Sequence, residues 1–367
     1  MSPLRRRRFR PRRTTVAIAG AGAMGVTHAL AARSAGMVVT AVASAGRSSA
    51  RHLAGQIDAR PCRAEDLPAG ADLLVVATPP ESHVDLAIAG LAGGAVVLVE
   101  KPIAHTLADG DRLASAVAER PGRPVSVAEN LLHAPPVRLA LQRRSAIGRL
   151  DHLSLRTVQA PPTWGHFTRP LLSGGVLFDL GPHALAVALA LADDAPVAVS
   201  ASLGSSRPDG VDDEAQVTVE FAGGLTATLG VSWTADQPQW GAQAASASGV
   251  VRIELIPEVL VEHDGDAVEV VDRWTTVDPR LERLGYVDQL IDTMRAAGAG
   301  GDKPHDIGSE ASPTPGQTVA DAIEVLELIT AAYASAGDGG RSISIPFTGD
   351  RTLTPLAHWR GTNATPA

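Results

Sequence analysis

From Thr14 to about Asn130, short runs of aliphatic and β-branched residues alternate with longer Ala- and Leu-rich stretches. The runs are Thr15–Gly20, Val38–Ser44, Asp72–Thr78, Ala95–Glu100 and Pro124–Glu129; helices are expected around Met24–Ser34, Ser48–Gln56, Ser82–Leu91 and Leu107–Glu119. LLVVA (Leu73–Ala77) and VVLVE (Val96–Glu100) are apolar without alternation, as in strands covered on both faces. Repeated βα units predict a parallel sheet with right-handed crossovers. After a helical segment near Pro136–Ser145 the period falls to two. Val217, Val219 and Phe221 share one face, with Gln216, Thr218 and Glu220 on the other. Gly223–Gly224 then leads into a run whose apolar face is Leu225, Ala227, Leu229, Val231 and Trp233, which predicts a hairpin with one buried face. A second hairpin is expected from Val250 to Val271, turning at Asp264–Gly265. Amphipathic helices follow around Tyr286–Ala297 and Gln317–Ala334, with Gly298–Gly316 as the loop between them and Arg341–Pro346 as a closing edge strand.

The expected fold class is α/β: an N-terminal Rossmann domain, a doubly wound parallel sheet, at 14–134. An α+β domain with a largely antiparallel open sheet is expected at 135–346, a basic tail at 1–13 and a C-terminal tail at 347–367. Length agrees, since 367 residues are ample for two domains. The net charge is −8, yet seven arginines crowd the first 13 positions; removing them leaves a body at −15. That argues against a nucleic-acid groove. One cysteine, Cys62, excludes an internal disulfide and any Cys-rich metal site, and the dispersed histidines give no metal cluster. The uncharged apolar stretch Ala87–Val99 is too short to span a membrane. A twin-arginine export signal would require cleavage within Thr14–Gly25, which the first βα unit needs, so a cytoplasmic protein is expected.

VAIAGAGAMG places Gly20, Gly22 and Gly25 in G-x-G-x-x-G spacing between a strand and a helix, with Ala23 and Met24 at the helix start. Gly20 permits the turn, Gly22 admits a pyrophosphate, and Gly25 lets helix and strand pack, so a dinucleotide site is expected. No carboxylate lies between Met37 and Gln56, where an NAD-selective fold usually places one; Ser44, Arg47, Ser48 and Arg51 stand there instead. Without that repulsion, and with Arg47 as a phosphate partner, NADP(H) is favoured over NAD(H).

ATPPESH (Ala77–His83), VEKP (Val99–Pro102) and SGGVLFDLGPH (Ser173–His183), in this order, resemble the Gfo/Idh/MocA oxidoreductases, with the resemblance running on to TPLAHWRG (Thr354–Gly361). The resemblance implies an NAD(P)-dependent oxidoreductase acting on a carbinol or keto carbon of a sugar, inositol or related metabolite, in a homo-oligomer. It places the catalytic lysine on Lys101 and the acid and histidine on Asp179 and His183, all three also touching substrate. It puts Thr78, Pro79, His83, Glu100 and Lys101 beside the cofactor, and implies substrate or cofactor contacts near Asn130 and His133. Trp164, His166 and Arg169 lie in a Pro-rich loop whose residue types suit a sugar face or an anionic group, or a simple loop anchor. One position departs from the family: the acid often found three residues after the histidine is here Ala186.

The chemistry of these residue types agrees. Hydride leaves a carbinol carbon only as the hydroxyl proton is removed, so a base and a cation beside the developing alkoxide are needed. His183 suits the first role and Lys101, at a strand's carboxyl edge, the second. Asp179, four residues before His183, would share its helix face and orient substrate or His183. If the helix instead starts at Gly181–Pro182, His183 sits at its positive end; either geometry keeps the two near one another. Other readings are a non-catalytic cofactor-binding regulator, or a relative using NAD(P) for elimination or for reduction of an imine or tetrapyrrole.

Overall fold

The computed structural model describes residues 13–67, 70–122, 124–163, 174–207, 210–270, 278–298 and 317–361. The first sheet contains the parallel strands β1 (Thr15–Ala19), β2 (Val38–Ala43), β3 (Arg60–Cys62), β4 (Leu73–Val76), β5 (Val96–Glu100) and β6 (Val125–Ala128), in spatial order β3-β2-β1-β4-β5-β6. They alternate with helices α1 (Ala23–Ser34), α2 (Arg47–Ile57), α3 (His83–Ala92) and α4 (Leu107–Ala118). Every residue of β4, β5 and β6 is buried, which explains their unbroken apolar runs. β3 escaped the pattern because Arg60-Pro-Cys is a largely exposed edge. Strand order reverses between β1 and β4, so the carboxyl ends of these strands open a crevice.

The chain then forms α5 (Pro135–Arg144), β7 (His152–Val158), α6 (Val176–Ala192), β8 (Pro196–Gly204), β9 (Glu214–Phe221), β10 (Thr226–Ser232), β11 (Gln239–Ser246), β12 (Gly249–Ile256), β13 (Leu260–His263) and β14 (Asp266–Ala267). After them come α7 (Pro279–Arg283), α8 (Tyr286–Ala296), β15 (Gln317–Thr318), α9 (Val319–Gly337), β16 (Ile343–Ser344) and α10 (Pro355–Arg360). Among the described residues the second sheet runs β14-β13-β12-β11-β7-β10-β9-β8-β16, antiparallel except where β7 meets β10. β7, β9 and β10 alternate buried with more accessible residues; the buried set faces α6 and the outer face is polar. The β9–β10 hairpin forms as expected, with Val219 opposite Ala227 and Val217 opposite Leu229.

Several expectations are corrected. Val250–Val271 is not one hairpin: β12 pairs with β13, and Asp264–Gly265, both at positive φ, turn β13 into the two-residue β14. Elements from the second half of the chain also join the first sheet's layers. α8 packs Val287, Leu290 and Met294 into the core beneath α1 and β5, and β15 adds an antiparallel strand beside β6. Residues 347–361 are a packed strap rather than a tail: Phe347 and Leu356 are buried and α10 lies on α9. The Arg351 guanidinium grips both carboxylate oxygens of Asp111 on α4 (2.6 and 2.7 Å). No local period announces so short a strap, because its partners are distant in sequence. Among the described residues, no helix is long and apolar enough to cross a membrane.

Candidate active site

The turn from β1 into α1 is shaped by steric limits on two sides and by open space on the third. Gly20 has φ +116°, and a Cβ there would lie 2.1 Å from the Ala77 carbonyl oxygen; one on Gly25 would lie 2.1 Å from the Gly20 carbonyl oxygen. Nothing lies within 4 Å of a Cβ built on Gly22, which is exposed and caps α1 without a side-chain hydrogen bond. The fold itself therefore makes no demand for glycine at position 22. A group approaching the N-terminus of α1 does, and the unfilled N–H groups of that turn, around exposed Ala23 and half-buried Met24, suit a pyrophosphate. A dinucleotide fits this cradle. Ser44 directly follows β2, and Arg47, exposed, opens α2, whose first turn carries no acid.

Two loops at the strand ends are locked together. His83 sets its Nε2 2.7 Å from the Thr78 carbonyl oxygen and its Nδ1 2.9 Å from that of Pro102. Burial holds this imidazole below its ordinary pKa although both carbonyls and the charges of Glu100 and Glu81 pull the other way. His83 thus lies buried and braces the half-buried Thr78 and exposed Pro79 against the Lys101–Pro102 loop. Glu100 is likewise beneath the cleft: its Oε1 lies 2.7 Å from His28 Nε2, and Oε2 accepts the Lys101 backbone N–H (3.1 Å). Burial pushes the Glu100 carboxyl up, but the His28 hydrogen bond and the charges of His28, Lys101 and His183 outweigh it and hold the pKa low.

Lys101 projects from the end of β5 to α6, where its Nζ donates to the Asp179 carbonyl oxygen (2.7 Å) and to Asp179 Oδ1 (3.2 Å). α6 begins at Val176 and runs straight through Pro182, so it does not start at Gly181–Pro182. The early start comes from a distant cap, since Asp212 accepts from the backbone N–H groups of Gly175 (3.0 Å) and Leu177 (2.8 Å) and from the Tyr333 hydroxyl (2.6 Å). With its donors all neutral, burial dominates and pushes the Asp212 carboxyl up to about 6.

Asp179 and His183 share a helix face, as expected, but Asp179 does not orient His183. The partner of His183 is Glu129, just past β6, whose Oε1 and Oε2 lie 2.7 and 3.0 Å from Nδ1. The imidazole is bordered by the Trp240 ring at 5.6 Å, and both line a small apolar pocket with Thr157, Leu131 and Val187. Tyr286, the first residue of α8, completes the neighbourhood: burial, then the negative charges of Glu100, Glu129 and Asp179, push its phenol pKa well up.

Of the expected substrate contacts, Asn130 is turned away, because its buried amide donates to the Leu284 carbonyl oxygen (2.6 Å). His133 is buried against Asp292 (3.0 Å), which Arg138 also binds, and the three tie α8 to α5 and to the turn after β6. Trp164, His166 and Arg169 lie outside the described residues. Glu129 and Tyr286 were missed. A signal existed for Glu129: like Glu100, it is an acid where a parallel strand gives out. Tyr286 has no comparable local signal.

Residues 14–129 match the model of an oxidoreductase family described as an NAD-binding Rossmann fold, and residues 140–254 match that of the GFO/IDH/MocA C-terminal domain; together they cover more than half of the chain. Inositol 2-dehydrogenase 4 of Saccharopolyspora erythraea is 30% identical over 59% of this chain and 66% of its own length. D-apiose dehydrogenase of Paraburkholderia graminis is 28% identical over 53% of this chain and 48% of its own. The chain thus spans about half to two-thirds of the length of these two curated relatives. Among solved structures, GenD2 from gentamicin A biosynthesis, in complex with NAD, superposes with a TM-score of 0.74 at 26% identity, over 91% of this chain and 96% of that one. Levoglucosan dehydrogenase, in complex with NADH and L-sorbose, shares the fold at a TM-score of 0.77 and 20% identity, over 92% of this chain and 100% of that one.

Proposed function

The chain belongs to the Gfo/Idh/MocA oxidoreductase family, and on that premise we propose that it is an NADP(H)-preferring oxidoreductase of a sugar, inositol or sugar-derived metabolite. The observation that carries this reading is the convergence of Lys101, Asp179 and His183 at the carboxyl edge of the first sheet, beside a cradle with open space at Gly22. The named relatives act on inositol, D-apiose and levoglucosan, which supports a polyhydroxylated substrate.

Gly20, Gly22, Ala23, Met24 and Gly25 would hold the pyrophosphate, and Thr78 and Pro79 would flank the nicotinamide half. A bound nicotinamide supplies the hydride acceptor or donor. His183 takes the substrate hydroxyl proton on oxidation and returns it on reduction. Lys101, steadied by Asp179, donates a hydrogen bond to the reacting oxygen and favours its alkoxide character. Arg47 and Ser44, with no acid beside them, support NADP(H), although the solved relatives above hold NAD or NADH. We further propose a cytoplasmic homo-oligomer joined through the polar outer face of the second sheet, where Ser154, Arg156, Gln216, Thr228 and Ser232 line a broad concavity.

Fluorescence titration with NADPH and NADH, followed by a screen of keto- and hydroxy-sugars with the tighter one, tests the reading. Tighter NADPH binding and net turnover of one sugar class are expected. NADH binding at least as tightly would overturn the NADP preference. Product formation without net cofactor change would mean elimination, and tight binding without any turnover would mean a regulator.

A further inference from the structure

We propose that Glu129 is the positioning residue of the proton-transfer step, holding His183 in the one tautomer that can act on substrate. The inference deepens the reading above and rests on it for the chemistry, but the pairing itself stands on geometry. Both carboxylate oxygens approach the same ring nitrogen, Nδ1, at 2.7 and 3.0 Å, and both side chains are buried. An ionised carboxylate only accepts, so Nδ1 carries the hydrogen and Nε2 carries the lone pair.

Glu129 is itself held in place. Its Oε1 also accepts the Leu131 backbone N–H (3.3 Å), and Gln289, with its amide oxygen turned inward, accepts from the backbone N–H groups of Glu129 (2.9 Å) and Asn130 (3.1 Å). The alternative partner, Asp179, is committed to Lys101 through both its carbonyl and its carboxylate. The two carboxylates therefore divide the work: Asp179 steadies the cation and Glu129 steadies the base. Glu129 follows β6 of the first sheet, whereas His183 rides on α6 against the second, so the pair also fixes the base across the crevice.

In oxidation, the substrate O–H bond breaks and its proton goes to Nε2, while the C–H bond delivers hydride to the oxidised nicotinamide dinucleotide. His183 becomes an imidazolium with Nδ1–H intact, and Glu129 remains a carboxylate opposite the new charge. Among the described residues, Glu100, Lys101, Asp179 and Tyr286 are the other titratable or charged groups around this locus.

The test reads the tautomer directly, by nitrogen-15 NMR of histidine-labelled full-length protein, with His183→Gln assigning the signal. In the unsubstituted protein His183 is expected as Nδ1–H; an Nε2–H signal would overturn the proposal with no variant needed. In Glu129→Gln the Nδ1–H preference is expected to be lost. The acidic limb of its kcat/KM profile should move to lower pH, since the neighbouring negative charge is gone, and kcat should fall about 100-fold with NADPH binding unchanged. Glu129→Asp, which keeps the charge, should recover part of the activity and the wild-type tautomer. A Glu129→Gln enzyme with the wild-type tautomer and pH profile would overturn the proposal. Absence of turnover in the unsubstituted protein would instead count against the oxidoreductase reading and leave the tautomer measurement decisive for the pairing.

Discussion

At the end of β5, Glu100 meets His28 of α1; one strand over, past the end of β6, Glu129 meets His183 of α6. Both contacts are 2.7 Å and both glutamates are buried. The difference lies at the second ring nitrogen. His28 is wholly enclosed and its Nδ1 is buried without a partner, while His183 lines a pocket beside Trp240 and keeps a little exposure. A buried Glu–His pair is therefore not in itself a sign of catalysis. The His28 pair is sealed and serves as a structural tie, whereas the His183 pair borders a pocket and, on the proposed function, would carry the proton.

The largest effect is expected from removing Lys101, whose Nζ reaches Asp179 on the helix that carries His183. Lys101→Ala should lower turnover about 1,000-fold while NADPH still binds, as read by its fluorescence. Unchanged turnover would remove Lys101 from the chemistry. Next comes the sealed pair. His28→Leu leaves Glu100 buried without its partner and should cost about 3 kcal/mol of stability, read from the urea midpoint. Its acidic pH–rate limb should stay in place, and a shift like that of Glu129→Gln would erase the distinction between the two pairs.

Asp212 is a third buried carboxylate, and its pKa is pushed up to about 6 because its partners are neutral, whereas Glu100 is held low by charged ones. The folded protein thus keeps a proton on Asp212 that the unfolded chain releases near pH 4. This stabilisation is full below the unfolded value and is lost as pH rises through about 6, by at most about 3 kcal/mol. Asp212→Asn removes that dependence, so its stability relative to the unsubstituted protein should improve between pH 4 and 7. A pH-independent difference would contradict the raised value. The smallest effect is at the far end of the cradle: Arg47→Ala should weaken NADPH binding about 10-fold and leave NADH nearly unchanged.

What was legible in the sequence is what local physics decides. Unbroken apolar runs marked strands buried on both sides, alternation marked a half-covered sheet, and the glycines of the first turn marked positions where backbone or ligand comes close. Lys101, Asp179 and His183 stood out through a resemblance carried by ordered motifs. The partners did not. Glu129 and His183 are 54 residues apart, and Asp212 and Tyr333 are 121 apart; only the packed fold brings them together. Asn130 misled for the same reason: its place after a strand suggested a ligand contact, but its amide is taken by Leu284, 154 residues on.

The most direct check of hydride chemistry at this site is isotope transfer from NADPH carrying deuterium at the reactive nicotinamide carbon, with a panel of keto-sugars and mass-spectrometric analysis of the products. Deuterium should appear at a single carbinol carbon with the unsubstituted protein and be nearly absent with Lys101→Ala. Tight NADPH binding with no deuterium in any product, or transfer that survives loss of Lys101, would contradict the site assigned to this chain.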